Sequence, residues 1–104
     1  MAQVRIKLID SKYLAKVYFV EDATDFVRNN RNAYTTLPAM TLDKTGFDAA
    51  EEMFDLTDNP YRDDERQQVY GNGRSLSVGD IVEVDGVEFL CSSFGWKIID
   101  LEAA

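Results

Sequence analysis

GNGRSLSVGDIVEVDGVEFLCSSFGWKII, residues 71–99, decides the fold. Asp85-Gly86 separates two apolar runs, residues 81–85 and 87–92. An Asp-Gly pair between such runs is the chemistry of a two-residue hairpin turn with positive φ at its centre. Ser77 is placed to cap a one-turn corner, Val78-Gly79-Asp80, that leads into the first run. Ser93-Phe94-Gly95 turns the chain once more, and residues 96–101 return as a third strand. Gly71-Asn72-Gly73 opens the stretch as another turn. The segment is therefore a β-meander.

Upstream lies the clearest helix. Thr45 opens it, and Asp48 three residues on makes a capping-box arrangement with Asp in place of Glu or Gln. Phe47, Ala50, Met53, Phe54 and Thr57 recur at helical spacing and mark the stripe to be buried. Asp48, Glu51, Glu52 and Asp55 take the other face. The like-charge pairs Asp48/Glu52 and Glu51/Asp55 each cost about 0.2–0.5 kcal/mol, so that face is held at some expense. Pro60 ends the element, and residues 61–69 form either a second short helix or a connecting loop.

The first forty residues read less sharply. Val4, Ile6 and Leu8 alternate with Arg5 and Lys7, the period of a half-buried strand. Turn residues at 10–12 and a β-rich run at 14–20 make a hairpin with it. Asp22 is placed to cap a short helix over residues 23–30, with Asp25 as its reciprocal partner, and the Asn-rich residues 29–32 stop it. Residues 34–42 are extended, and Pro38 confines them to a sheet edge or a bulge. The expected fold is a single α+β domain over residues 1–104. It has a small, mostly antiparallel sheet, a C-terminal meander and one main helix packed on it.

Composition excludes more than it assigns. The chain has 104 residues, 45% of them hydrophobic and 29% charged, the proportions of an ordinary globular domain. No apolar run approaches the roughly 20 residues of a membrane helix, so no membrane partner is expected. Arg5 and Lys7 interrupt the apolar residues that a signal-peptide core would need. The formal charge is −8 and unevenly spread. Residues 43–65 carry nine acidic and two basic side chains, whereas residues 1–42 carry six basic and four acidic ones. Direct binding of nucleic acid needs clustered Lys and Arg, and no such cluster exists. A partner that meets the acidic middle should be basic. The simpler alternative is that these acids only keep a small protein in solution.

Histidine is absent, so neither a Ser–His–Asp nor a Cys–His nucleophilic pair can be built. Cys91, the single cysteine, lies in a strand without a neighbouring base and reads as a buried, reduced thiol. Ser75, Ser77, Ser92 and Ser93 all stand where a turn or cap wants a small hydroxyl. Residues 55–66 fail as a calcium loop, because Pro60 replaces the required glycine and Arg66 the bidentate glutamate. Asp63-Asp64-Glu65 lacks a nearby lysine for a nuclease centre. Gly71-Asn72-Gly73-Arg74-Ser75 lacks the Gly-Lys-Ser/Thr ending of a phosphate loop, and Arg74 can instead pair with an acid of the meander. No cofactor, no metal and no catalysis are expected. Phe94 and Trp96 read as core filler between helix and sheet, with an exposed partner anchor as the other reading.

Residues 74–78, 80–82 and 93–96, and more weakly 47–56, carry a further signal. An Arg-Ser-Leu-Ser-Val step before a strand and a Ser-Phe-Gly-aromatic turn after it resemble the C-terminal signature of the YodL-like domains. Those domains are carried by bacterial plasmids, conjugative elements and phages, and the resemblance implies an origin rather than a reaction. Mobile elements often encode small acidic proteins that occupy the nucleic-acid sites of host defence enzymes. The expectation is a cytoplasmic, non-catalytic protein-binding module, in its sharper form an anti-CRISPR or anti-restriction inhibitor. Asp48, Glu51, Glu52, Asp55, Asp58, Asp63, Asp64 and Glu65 would stand in for phosphates against a basic protein or nucleoprotein surface. The alternative is an accessory domain that forms homodimers or docks on a sister domain through its sheet edge.

Overall fold

Alternation in the first residues produces the strand on which everything else is built. In a computed structural model that describes residues 2–13, 17, 24–70, 75–92 and 95–99, strand β1 spans Ala2–Ile9. A 3-10 turn, Ser11–Tyr13, follows, then helix α1, Thr24–Asn29, and a second 3-10 turn, Arg31–Ala33. The short strands β2, Tyr34–Thr36, and β3, Met40–Leu42, come next. Helix α2 is Gly46–Asp58, a 3-10 turn covers Pro60–Arg62, and helix α3 is Asp63–Val69. Strands β4, Ile81–Val84, β5, Val87–Ser92, and β6, Gly95–Ile98, close the chain. The architecture is α+β, with six strands in one antiparallel sheet, ordered β2-β1-β4-β5-β6 with β3 also on β1.

The meander forms as its turn chemistry requires. Asp85 and Gly86 both take positive φ, 49° and 86°, and fold β4 back on β5 with Val84 opposite Val87. Residues 71–74 and 93–94, including the expected turns and Arg74, lie outside the described residues. The corner before β4 is built the other way round from the cap expected of Ser77. Asp80 is fully buried, and its carboxylate accepts from Ser77 N at 2.8 Å, from Ser77 Oγ at 3.4 Å and from Ile9 N at 2.9 Å. Gly79 N donates to Cys91 O and Cys91 N to Asp80 O, both at 2.9 Å, so two residues oppose one and the strand is bulged there.

The expected hairpin between β1 and residues 14–20 is corrected. Val17, the described residue of that run, is buried with helical backbone. Both flanks of β1 are already occupied, by β4 on one side and by β2 and β3 on the other. Pro38 splits residues 34–42 into those two strands, each bonded to a different end of β1. Asp22 and the side chain of Asp25 lie outside the described residues, while α1 does stop at Asn29.

One face of the sheet packs α2. Ala2, Val4, Ile6, Val82, Val84 and Phe89 meet Ala49, Ala50, Met53 and Leu56 in a single core. Two small alanines let the helix axis come close to the sheet, and this rotates the buried stripe away from the one expected. Leu56 goes inside, Phe47 is half exposed, and Phe54 lies on the flank. Thr45 precedes the helix in extended conformation but makes no side-chain cap bond, so the capping box does not form. The ladder starts from the Thr45 carbonyl, which Ala49 N reaches at 3.3 Å. At the other end Thr57 is buried. Its Oγ1 accepts from Leu76 N at 3.1 Å, and its carbonyl accepts from Ser75 Oγ at 2.7 Å.

The second face is divided. Ile9, Val17, Val27, Ala33, Ile81, Leu90 and Ile99 form a smaller core at one end. At the other end Arg5, Glu83, Lys7, Glu88 and Arg31 make a chain of ion pairs at 2.7–3.2 Å. Burial alone would raise the pKa of Glu88, but hydrogen bonds from Arg31 and Lys7 outweigh it and hold the carboxyl below its ordinary range.

Candidate functional site

Of the acids of residues 43–65, Asp43 precedes α2, and the rest lie on α2 and α3, which the Pro60–Arg62 turn joins. Asn59 shapes the joint between the helices, since its side-chain oxygen accepts from Tyr61 N at 3.0 Å. The turn then aims Arg62 back across α2. Its guanidinium bonds Glu52, Asp55 at 2.8 Å and Glu65 at 2.8 Å, so one cation ties three acids from two helices. Residues 61–69 are therefore helical rather than looped. The stretch 55–66, a helix end followed by a turn and a new helix, has no ion-binding loop in it.

This pairing sorts the eight expected contact residues. Glu52, Asp55 and Glu65 are engaged by Arg62, and Lys44 lies 3.9 Å from Glu52. Hydrogen bonding and charge from Arg62 lower the pKa of Glu65. Asp58 sits at the end of α2, where partial burial raises its pKa against the opposing pull of the Ser75 hydroxyl and Arg66. Asp48, Glu51, Asp63 and Asp64 are exposed and have no cation partner among the described residues. Lys44, Asp48, Glu51, Glu52 and Asp55 together line an open depression of about 380 Å³.

Two features escaped the residue-by-residue reading. Arg62 reads in the sequence as one charge among many, although Glu65 at i+3 marks it as a helix-surface partner. Tyr61, beside it, is 95% exposed, which its aromatic character does not foretell. Among the described residues no group of three or more acids and cysteines is arranged to hold a metal ion. Cys91 is buried, and desolvation first, then the charges of Asp80, Asp58 and Glu51, push its thiol up to about 12. Such a thiol is a weak nucleophile at neutral pH.

Next to the acids, α2 and β6 enclose a small furrow. Glu51, Phe54, Cys91, Ser92, Gly95 and Trp96 line about 160 Å³. Trp96 meets Phe54 edge-on with ring centres 6.3 Å apart, but it is only partly buried, so it borders the core instead of filling it. Phe94 lies outside the described residues. Trp96→Ala should accordingly cost about 1–3 kcal/mol in urea denaturation, less than the 3–5 kcal/mol of a fully buried aromatic. A loss above about 4 kcal/mol would place the indole inside the core.

No helix among the described residues is long and apolar enough to cross a membrane. Comparison with models of known families, with curated proteins and with solved structures found no match to this chain.

Proposed function

We propose that this chain is a non-catalytic, cytoplasmic binding module of a phage or other mobile element. Its acidic surface would occupy a basic groove that otherwise holds nucleic acid, as an anti-CRISPR or anti-restriction inhibitor does. One observation carries the reading. Arg62 ties Glu52, Asp55 and Glu65 of α2 and α3 together, while Asp48, Glu51, Asp63 and Asp64 have no cation partner among the described residues and Tyr61 stands out beside them. Unpaired carboxylates keep their charge for a partner, and an exposed tyrosine is a frequent anchor at interfaces. The resemblance of residues 74–78 and 93–96 to YodL-like domains supplies the mobile-element context.

The test is competition. A host nucleoprotein complex held by the immobilised chain should be released by duplex nucleic acid, and should weaken steeply between about 50 and 200 mM salt. The combined change Asp48→Lys, Glu51→Lys, Asp63→Lys and Asp64→Lys should lower that affinity at least ~100-fold. Tyr61→Ala should lower it at least ~10-fold, with stability unchanged within about 0.5 kcal/mol. The structure makes these four acids a sharper choice than Glu52 and Asp55, whose reversal would also break the Arg62 cluster. If the fourfold variant retains the complex as the parent does, the acids serve only solubility.

A further inference from the structure

The register of the meander leaves one strand edge open. Ile99 N donates to Glu88 O at 2.9 Å, which makes 88/99, 90/97 and 92/95 the bonded pairs between β5 and β6. The N–H and C=O groups of Trp96 and Ile98 therefore point away from β5, and among the described residues β6 pairs with no other strand. Their side chains lie on the α2 side of the sheet, opposite Cys91 and Phe89. That side is apolar and, among the described residues, uncovered at this edge. Ile98 and Phe47 are about half exposed, 53% and 50%, and Phe47 meets Phe89 edge-on at 4.9 Å. The furrow between Phe54 and Trp96 continues the same strip.

We infer that the outer edge of β6, with the furrow beside it, is a docking groove for an extended basic segment of a partner protein. A strand added there would bond to Trp96 and Ile98 and place alternate side chains over the α2 side, about 7 Å apart. An apolar residue of that strand fills the furrow. A Lys or Arg two places along the strand, on that same face, meets Glu51, which forms one wall of the furrow, and Asp48 one turn earlier on α2. Charge selects the occupant. A second copy of this chain carries −8 and would set acids against acids, and the segment following β6, Asp100-Leu101-Glu102, has the same sign. The charge of the occupant rests on the acidic-surface reading, whereas the strand pairing does not.

A fluorescein-labelled octapeptide of repeated Thr-Leu-Thr-Lys, which sets Leu and Lys on one face, is the probe (the Lys-Leu peptide), with the same peptide carrying Glu for Lys (the Glu-Leu peptide) as its counterpart. The Lys-Leu peptide should bind at least ~10-fold more tightly than the Glu-Leu one, and should slow hydrogen exchange of the Trp96 and Ile98 amides at least ~10-fold. N-methylation of the peptide residues whose N–H groups face β6 should cost ~10-fold or more in affinity. Ile98→Pro, which removes one outward N–H at an edge position that tolerates proline, should do the same. Salt-sensitive binding without protection of Trp96 and Ile98, and indifferent to N-methylation, overturns the edge inference and leaves the acidic surface standing. Equal affinity for both peptides, with those amides protected, overturns the basic occupant. Protection of the same amides by concentration-dependent dimerisation, without peptide binding, assigns the edge to a second copy instead.

Discussion

Asp80→Ala should destabilise this chain by about 3–5 kcal/mol, a large share of the roughly 5–15 kcal/mol that holds an ordinary domain together. The side chain is fully buried and serves two backbone donors that belong to different parts of the chain, Ile9 N and Ser77 N. Alanine strands both donors away from water, and each costs about 1–3 kcal/mol. Urea denaturation with an unchanged slope would measure the loss. Ser77→Ala is the control, since it removes the long 3.4 Å contact to the same carboxylate but keeps the Ser77 N–H donor, and it should cost less than Asp80→Ala. Equal losses for the two variants would mean that the corner is held by its backbone and not by Asp80.

Gly79→Ala is the second large effect, at about 2–4 kcal/mol, from two separable causes. The residue has φ of +100°, a conformation that side chains resist. An added Cβ would also lie 2.5 Å from Val17 Cγ2 and 3.4 Å from Val17 Cβ, a short, fully buried side chain with little room to move. In the double variant Gly79→Ala/Val17→Ala the steric share disappears, so the two changes should couple by about 1 kcal/mol or more. Strict additivity in the same denaturation assay would assign the whole cost to φ and contradict the packing of Val17 on this turn.

Local chemistry was legible in the sequence, and distant partnerships were not. Asp85-Gly86 specified its hairpin because both residues of the turn carry the information. Pro38 indicated an edge position for residues 34–42, but not their division into β2 and β3 on different ends of β1. The period of α2 was readable, but its rotation was not. Phe47 outranks Ala49 in hydrophobicity, yet close approach to the sheet favours the smaller residue inside. The run at 14–20 has strand-like composition, and only the occupied flanks of β1 rule out its pairing there. In the sequence Asp80 reads only as part of a turn, because its partner Ile9 lies 71 residues away. The acidic surface was visible as charge, but its division into paired and unpaired carboxylates depends on where Arg62 reaches.

The central position of β1 has a consequence for how the molecule is made. Synthesis on the ribosome is vectorial, so this strand emerges well before β4, with which its longest ladder joins Val4 to Val84 and Lys7 to Ile81. Until residue 84 has followed, one flank of an eight-residue strand with Ala2, Val4 and Ile6 on its apolar face has no native partner. Pairings so far apart in sequence close slowly, because loop closure precedes any gain from contact. During that delay Arg5 and Lys7, which later bind Glu83 and Glu88, act as gatekeepers, keeping the nascent strand charged on one face and averse to pairing with its neighbours on a polysome.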